Sequence, residues 1–273
     1  MTLNCKSHLL SIESPLIMGI LNITEDSFFD GGCYTSDDAI LRRAEQILSE
    51  GGNIIDLGAV STRPGAKDID EYTEILQIKR ALNLLLPRFS DAVISVDTWR
   101  ASVAKCAVEY GASIINDISG GTFDDKMMET VGELKVPYIL MHTTAKPSDM
   151  QSRKVQDPVL SNILQFFGRQ LAGFREKGCK DIILDPGFGF GKSIDQNYFI
   201  LKNLETFKIL NCPILVGISR KSMIYKILNK TPQESLTGTI VLNTIALLKG
   251  ADILRVHDVK EAVEVATLMH NLI

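Results

Sequence analysis

Asp97, Asp117 and Asp185 each close a short apolar run, Asn116 stands beside the second, and Lys221 follows another run in the segment GISRKS. Around one opening, these groups suit a planar heterocycle bearing N–H donors and a carbonyl. A carboxylate accepts from adjacent ring N–H and amino groups, and an ammonium donates to a ring nitrogen or carbonyl oxygen. One strand-end Asp is as often a cap as a ligand group. Several from different strands point to a site. A second set comprises Asn22, Ser61, Thr62, Arg63, Arg255 and His257. Arginine forks match phosphate oxygens two at a time, and a Ser-Thr-Arg loop adds hydroxyl and backbone donors. Asn22 offers a neutral oxygen acceptable to Mg²⁺, which keeps most of its waters and binds phosphate. This set reads as a holder of phosphate or pyrophosphate, against the plainer reading that Arg63 and Arg255 pair with surface acids.

Other residues carry less. His8, His142 and His270 fall in no metal-ligand pattern, and Met141 serves a pocket wall or a core equally well. The segment DPGFGFGKS invites two nucleotide motifs and satisfies neither. Pro186 stands where a phosphate loop needs its first glycine, and Lys192 stands where a dinucleotide fingerprint needs its third. What remains is an aspartate followed by glycines that let backbone approach a flat ligand. A Gly-x-Ser-x-Gly elbow, a Cys–His signature and HExxH are all missing from the sequence, which argues against nucleophilic or zinc hydrolysis.

These residues need elements that bring them together. Eight apolar runs end on a polar, charged or glycine residue: Leu16–Asn22, Ile54–Gly58, Val93–Asp97, Ser113–Asp117, Pro137–His142, Ile182–Asp185, Ile214–Ser219 and Ile253–His257. Most are continuous rather than alternating, as in parallel sheets buried on both faces. Amphipathic stretches lie between them. Ile40, Leu41, Ala44, Ile47 and Leu48 share a face, with Ser36 as N-cap and Gly51-Gly52 as the stop. Further stripes stop at Gly111 and Gly178, and Asp258 with Glu261 suggests an approximate capping box on the last helix. Long loops span 24–35 and 61–70. Eight strand–helix units predict a (β/α)8 TIM barrel with its site at the C-terminal ends of the strands, ahead of an open doubly wound sheet. The expected organisation is one domain over residues 1–273, with 1–15 as an N-terminal extension.

Composition sets outer limits. The chain has 273 residues, 45% of them hydrophobic, and a net charge of −4 with dispersed basic residues. That removes the electrostatic case for nucleic acid. The most apolar helical stretch, Leu236 to Leu248, is broken by Thr237, Thr239, Asn243 and Thr244, too short for a membrane span. The opening MTLNCKSHLLSIESP lacks the basic-then-apolar order of a secretion signal. Cys5, Cys33, Cys106, Cys179 and Cys212 form no CxxC pair and read as reduced thiols, so a cytoplasmic location is expected.

The motifs MGILNITEDSFFDGG, STRPGA, SVDT, IINDISGG, LDPGFGFGK, GISRKS and LRVHDV occur in that order over nearly all of the chain, from about Leu16 onwards. The sequence resembles the bacterial dihydropteroate synthase family. The resemblance implies an enzyme that joins 6-hydroxymethyl-7,8-dihydropterin pyrophosphate to p-aminobenzoate, releasing pyrophosphate, with Mg²⁺ as cofactor and a homodimer as the assembly. It places Asp97, Asn116, Asp185 and Lys221 on the pterin, with Met141 and Gly217 in the same pocket. Asn22, Ser61, Thr62, Arg63, Arg255 and His257 take the pyrophosphate, Asn22 also meeting Mg²⁺. Thr62, Pro64, Phe190, Lys221 and Ser222 border the aminobenzoate. Lys221, Arg255, His257 and Arg63 carry the catalytic assignment, with Arg220 close by.

The chain departs from the usual pattern in GAVSTRPG, where Ala59 and Val60 replace Gly and Glu, at Glu25 and Phe29 of the first long loop, and in MHTTAKP after the fifth strand. Two alternatives are a pterin-dependent methyltransferase barrel and a non-catalytic pterin-binding protein. The first gives no reason to keep Arg63, Arg255 and His257, and the second gives no reason to keep Thr62-Arg63 and Lys221.

Overall fold

The computed structural model describes residues 1–6, 8–23, 36–60, 69–146, 149 and 154–272. A short antiparallel hairpin, β1 (Thr2–Cys5) with β2 (His8–Ser11), precedes the main sheet. Eight parallel strands follow: β3 (Leu16–Asn22), β4 (Ile54–Gly58), β5 (Val93–Asp97), β6 (Ile114–Asp117), β7 (Tyr138–Met141), β8 (Ile182–Asp185), β9 (Leu215–Val216) and β10 (Ile253–Val256). Their order in the sheet is β8-β7-β6-β5-β4-β3-β10-β9. A parallel bridge between Leu184 and Ile214, beside a 2.8 Å bond from Leu184 N–H to the Pro213 carbonyl, joins the two ends. The sheet closes, and the barrel expected from eight strand–helix units is borne out.

Helices α1 (Asp37–Ser49), α2 (Glu71–Arg88), α3 (Ala101–Glu109), α4 (Met127–Leu134), α5 (Val159–Glu176), α6 (Ile194–Lys202), α7 (Ser222–Tyr225), α8 (Leu236–Leu248) and α9 (Val259–His270) surround it. None of the described helices is long and apolar enough to cross a membrane. The helices begin and end for local reasons. Ser36 Oγ accepts the Ala39 N–H at 3.3 Å as the N-cap of α1. Gly111 takes φ +105° just beyond α3, a conformation that costs glycine little.

Two expectations are corrected. The run Ile214–Ser219 yields only Leu215–Val216 as strand, because the chain turns after Gly217 and Lys221 N–H bonds back to the Ile218 carbonyl at 3.1 Å. Asp258 stands at the N-cap of α9 without capping it. Both its oxygens accept from Arg220, at 2.6 and 2.8 Å, a charge-assisted pair that outcompetes a backbone N–H.

Successive strand side chains face opposite sides, so each strand splits into an inner and an outer set. Leu16, Met18, Ile54, Val93, Ile114, Ile139, Ile183, Leu215 and Ile253, drawn from all eight strands, form one buried cluster with Leu3 and Cys5 of β1. The N-terminal hairpin thus plugs the floor of the barrel, and Asn4 N–H fastens it to Asp181 Oδ2 at 2.9 Å. The opposite parity, including Ile55, Leu57, Ile94, Val96, Ile115, Tyr138, Leu140, Leu184 and Leu254, packs against the helices. With the floor sealed by apolar side chains, polar inward positions accumulate towards the C-terminal mouth.

Candidate active site

Two residues beyond the floor, the inward positions read Asp56, Ser95, Asn116, Met141, Asp185, Gly217 and Arg255. Two further on stand Asp97 and His257. The site residues are therefore the upper layers of the same inner face whose bottom layer is hydrophobic. Asp117 has the opposite parity and points among the helices. Its carboxylate accepts Tyr138 Oη–H at 2.6 Å, Ser119 N–H at 2.7 Å and Gly121 N–H at 3.0 Å. It holds the loop after β6, and its burial pushes its pKa up.

The centre of the mouth is a charge cluster. Arg255 Nε donates to Asp56 Oδ2 at 2.7 Å and Nη2 donates to Asp97 Oδ2 at 3.1 Å. Asn116 Nδ2 donates to both Asp56 oxygens, at 3.1 and 3.3 Å. Arg255, read from sequence as part of the phosphate set, is thus tied to Asp97 of the heterocycle set as well as to Asp56, and the two halves meet on its guanidinium. Burial drives Asp97 up to about 8 against the pull of Arg255, with the Asp56 and Asp117 carboxylates pushing the same way as burial. Two carboxyl groups share one cation in this trio, so Asp97 ionises reluctantly, and a ligand bringing N–H donors would favour its ionised form.

On the other side of the mouth Asp185 accepts the Gly187 N–H at 2.7 Å. Its pKa is also raised by burial, opposed by Lys221. Lys221 precedes α7, and its Nζ donates to the Phe188 carbonyl at 2.5 Å and lies 4.8 Å from the centre of the Phe190 ring. Burial lowers Lys221 to about 8, with Asp185 pulling upward. A Cβ at Gly217 would lie 3.7 Å from Arg255 Cβ and 4.0 Å from Lys221 Nζ, so glycine leaves room between the two cations. Ser222 opens α7 next to Lys221. Met141 is buried with Val60, Trp99 and Ile118, and Phe190 packs on that cluster.

His257 is held from two sides. The Ser219 hydroxyl lies 3.0 Å from its Nδ1 and accepts its backbone N–H at 3.2 Å, while Arg43 Nη2 donates to its carbonyl at 2.5 Å. Asn22 closes β3, and its Oδ1 would lie 3.0 Å from a Cβ at Gly58. Among the described residues no group of three or more His, Cys, Asp or Glu could hold a metal. A divalent ion here would lean on Asn22 and on phosphate oxygens, a donor set that suits Mg²⁺ with most of its waters retained. Ser61, Thr62, Arg63 and Pro64 lie outside the described residues, as does Cys33. The other four cysteines are buried thiols.

Sequence reading missed Asp56, Ser219 and Arg43. Asp56 was findable, since Ile54-x-Asp56 has the same parity from the floor as Ile253-x-Arg255. Arg220 is occupied by Asp258 and by the carbonyls of Pro232 and Gln233, and so braces the turn before Lys221. A separate cleft of about 400 Å³ lies between Glu71, Trp99, Arg100, Phe123 and Lys146. Its lining includes none of the carboxylates of the mouth.

A closed barrel with buried carboxylates, an amide and two cations around one polar mouth defines the class, an α/β-barrel enzyme for a flat, donor-rich ring. Residues 18–257 match the family described as pterin binding enzyme. The dihydropteroate synthase of Escherichia coli K12 is 40% identical over 257 residues, covering 93% of this chain and 90% of that one. The crystal structure of the Yersinia pestis dihydropteroate synthase in a sulfonamide drug complex superposes with a TM-score of 0.95 at 38% identity, covering 100% of this chain and 99% of that one. The Xanthomonas albilineans dihydropteroate synthase solved with 4-aminobenzoic acid gives 0.91 at 32% identity, with coverage of 99% and 97%. The chain belongs to the dihydropteroate synthase family.

Proposed function

We propose that the protein condenses 6-hydroxymethyl-7,8-dihydropterin pyrophosphate with p-aminobenzoate to give 7,8-dihydropteroate and pyrophosphate, a step of folate biosynthesis. The observation that carries this is the convergence of Asp97, Asn116, Asp185, Lys221 and Arg255 on one mouth, with Arg255 bridged to Asp56 and Asp97. Asp97, Asn116 and Asp185 take the ring N–H and amino donors, Lys221 meets a ring acceptor, and Met141 and Gly217 border the ring. Arg255 and His257, with Asn22, Ser61, Thr62 and Arg63, take the pyrophosphate. Asn22 would offer its side-chain oxygen to Mg²⁺, an ion that would supply shielding of the pyrophosphate charge.

In this reading the bond from the pterin methylene to the pyrophosphate oxygen breaks early, and its electron pair leaves with the pyrophosphate. The electron-rich ring stabilises the resulting cation, and the lone pair of the aromatic amine forms the new C–N bond before the amine sheds a proton. Arg63, Arg255 and His257 act on the charge that builds on the leaving group, the kind of fixed electrostatic assistance that is strongest in a buried site. Thr62, Pro64, Phe190, Lys221 and Ser222 border the incoming aminobenzoate, and holding both partners in line supplies further acceleration. The reaction requires no protein nucleophile.

A homodimer belongs to the same proposal. Its support is the exposed apolar set Phe199, Ile227, Leu228, Val241 and Leu248 on and around α6, α7 and α8; sedimentation velocity should give twice the chain mass. A cytoplasmic location also belongs to it, in keeping with the buried thiols of Cys5, Cys106, Cys179 and Cys212. The reaction is tested by supplying purified protein with both substrates and Mg²⁺. Dihydropteroate should appear with wild type and fall to background with Lys221→Ala. Absence of product with wild type would refute the reading.

A further inference from the structure

The loop between β8 and α6 has glycine at 187, 189 and 191, each with positive φ, of +69°, +83° and +64°. Such a sequence has little shape of its own, because glycine loses the most freedom on ordering. Yet this loop supplies the Phe188 carbonyl that receives Lys221 Nζ at 2.5 Å and the Phe190 ring 4.8 Å from the same nitrogen. Its form must be imposed from outside.

Two buried groups impose it. Lys192 Nζ donates to the carbonyls of Gly187 at 2.8 Å, Phe190 at 3.0 Å and His142 at 3.2 Å. That uses all three donors of an ammonium, two on the loop and one on the segment after β7. A Cβ at Gly187 would come within 3.2 Å of this nitrogen, so the loop wraps closely around it. From the other side Asn197 Oδ1 accepts the Gly189 N–H at 2.8 Å, while its Nδ2 donates to the carbonyls of Ser193 at 2.7 Å and Lys192 at 3.3 Å. Asn197 is itself fixed in α6, whose start carries a reciprocal Ser193–Gln196 capping box.

We propose that Lys192 and Asn197 form a two-sided clamp on residues 186–191 and act as positioning residues for the Phe190 ring, and hence for the second substrate. The inference rests on the p-aminobenzoate reading given above. Asp185 is anchored in β8 itself, so the clamp bears more on the aminobenzoate side than on the pterin side. Burial lowers Lys192 to about 7, with Lys221 pushing the same way and the Asp185 carboxylate pulling upward, and the three carbonyl contacts also favour its ammonium form.

The test is steady-state kinetics of Lys192→Met and Asn197→Leu beside wild type, with folding checked by circular dichroism. In each variant the KM for p-aminobenzoate should rise about tenfold, the scale of losing one or two hydrogen bonds. Turnover at saturation and the Kd for the pterin pyrophosphate should each stay within about threefold, a split that general loosening of the fold would not produce. An unchanged aminobenzoate KM in either folded variant overturns the clamp, as does a parallel loss in all three constants. If one variant fails to fold, the other decides. A wild type that makes no dihydropteroate overturns the parent reading and the clamp with it, whereas failure in the variants alone leaves the parent reading standing.

Discussion

Asp56 accepts the Nε–H of Arg255 at 2.7 Å from 199 residues away in the chain, locking β4 to β10 across the barrel mouth. The carboxylate is fully buried, and the guanidinium is mostly so. Removing one partner of such a pair strands the other charge, at a cost of about 3–5 kcal/mol. Asp56→Ala leaves Arg255 paired with Asp97 alone, so it should destabilise the protein by less than that, about 1.5–3 kcal/mol, in denaturant titrations. Asp56→Asn, which keeps an oxygen acceptor, should lose less. Equal stability of Asp56→Ala and wild type would show that the pair is not structural.

Asp185 should recognise the ring. Asp185→Ala should weaken pterin binding by about 1.5–3 kcal/mol, the range for hydrogen bonds to charged groups. Titration calorimetry with a pterin lacking the pyrophosphate isolates this contact. Unchanged affinity would remove Asp185 from the ring site.

Arg255 should act on the leaving group as well as on the two carboxylates. Arg255→Ala should lower turnover at saturating pterin substrate by about 3 kcal/mol, near a hundredfold, as when a donor to a developing anion is removed. Since Arg255 also touches Asp97, the contrast to measure is between turnover and affinity for the pyrophosphate-free pterin. Normal turnover with collapsed affinity would make Arg255 a ring contact only.

Proton linkage follows from Asp97 and Lys221. Burial raises Asp97 to about 8, so a carboxyl largely protonated at pH 7 is expected in the ligand-free protein, and N–H donors from a ligand favour its ionised form. Pterin binding at pH 7 should then release up to about one proton, and apparent affinity should climb as pH rises towards 8. Lys221, lowered to about 8, loses its proton above that point, so affinity falls again and the profile is bell-shaped, its two limbs belonging to the coupled cluster. Calorimetry in buffers of different ionisation enthalpy reads the proton count directly. No net release at pH 7 would refute the role given to Asp97.

Much of this arrangement is legible in the sequence. The strand ends at Asn22, Gly58, Asp97, Asp117 and Asp185 coincide with the ladder ends, because buried parallel strands are continuous apolar runs that stop where polar chemistry starts. Inner and outer faces were harder. Asp117 and Asn116 are neighbours in sequence, yet the pleat sends one to Tyr138 and the other to Asp56. Only a floor residue on each strand sets that parity. Asp56 was overlooked because it sits within its run, two residues before the end, where an acid reads as an interruption. Asp258 resembled a cap because local spacing carries no trace of Arg220, 38 residues earlier in the chain. The Ser193–Gln196 box, by contrast, has a plain local signature that sequence reading passed over.

The central claim, transfer of the pterin methylene to an aromatic amine, is tested most directly by measuring pyrophosphate release from the dihydropterin pyrophosphate with and without p-aminobenzoate. With Mg²⁺ and both substrates, pyrophosphate and dihydropteroate should appear in equal amounts, and omitting the amine should reduce release to a small fraction. Release at the same rate without the amine, with no dihydropteroate formed in its presence, would mean that the mouth built by Asp56, Asp97, Asp185, Lys221 and Arg255 hydrolyses its ligand and is not a synthase site.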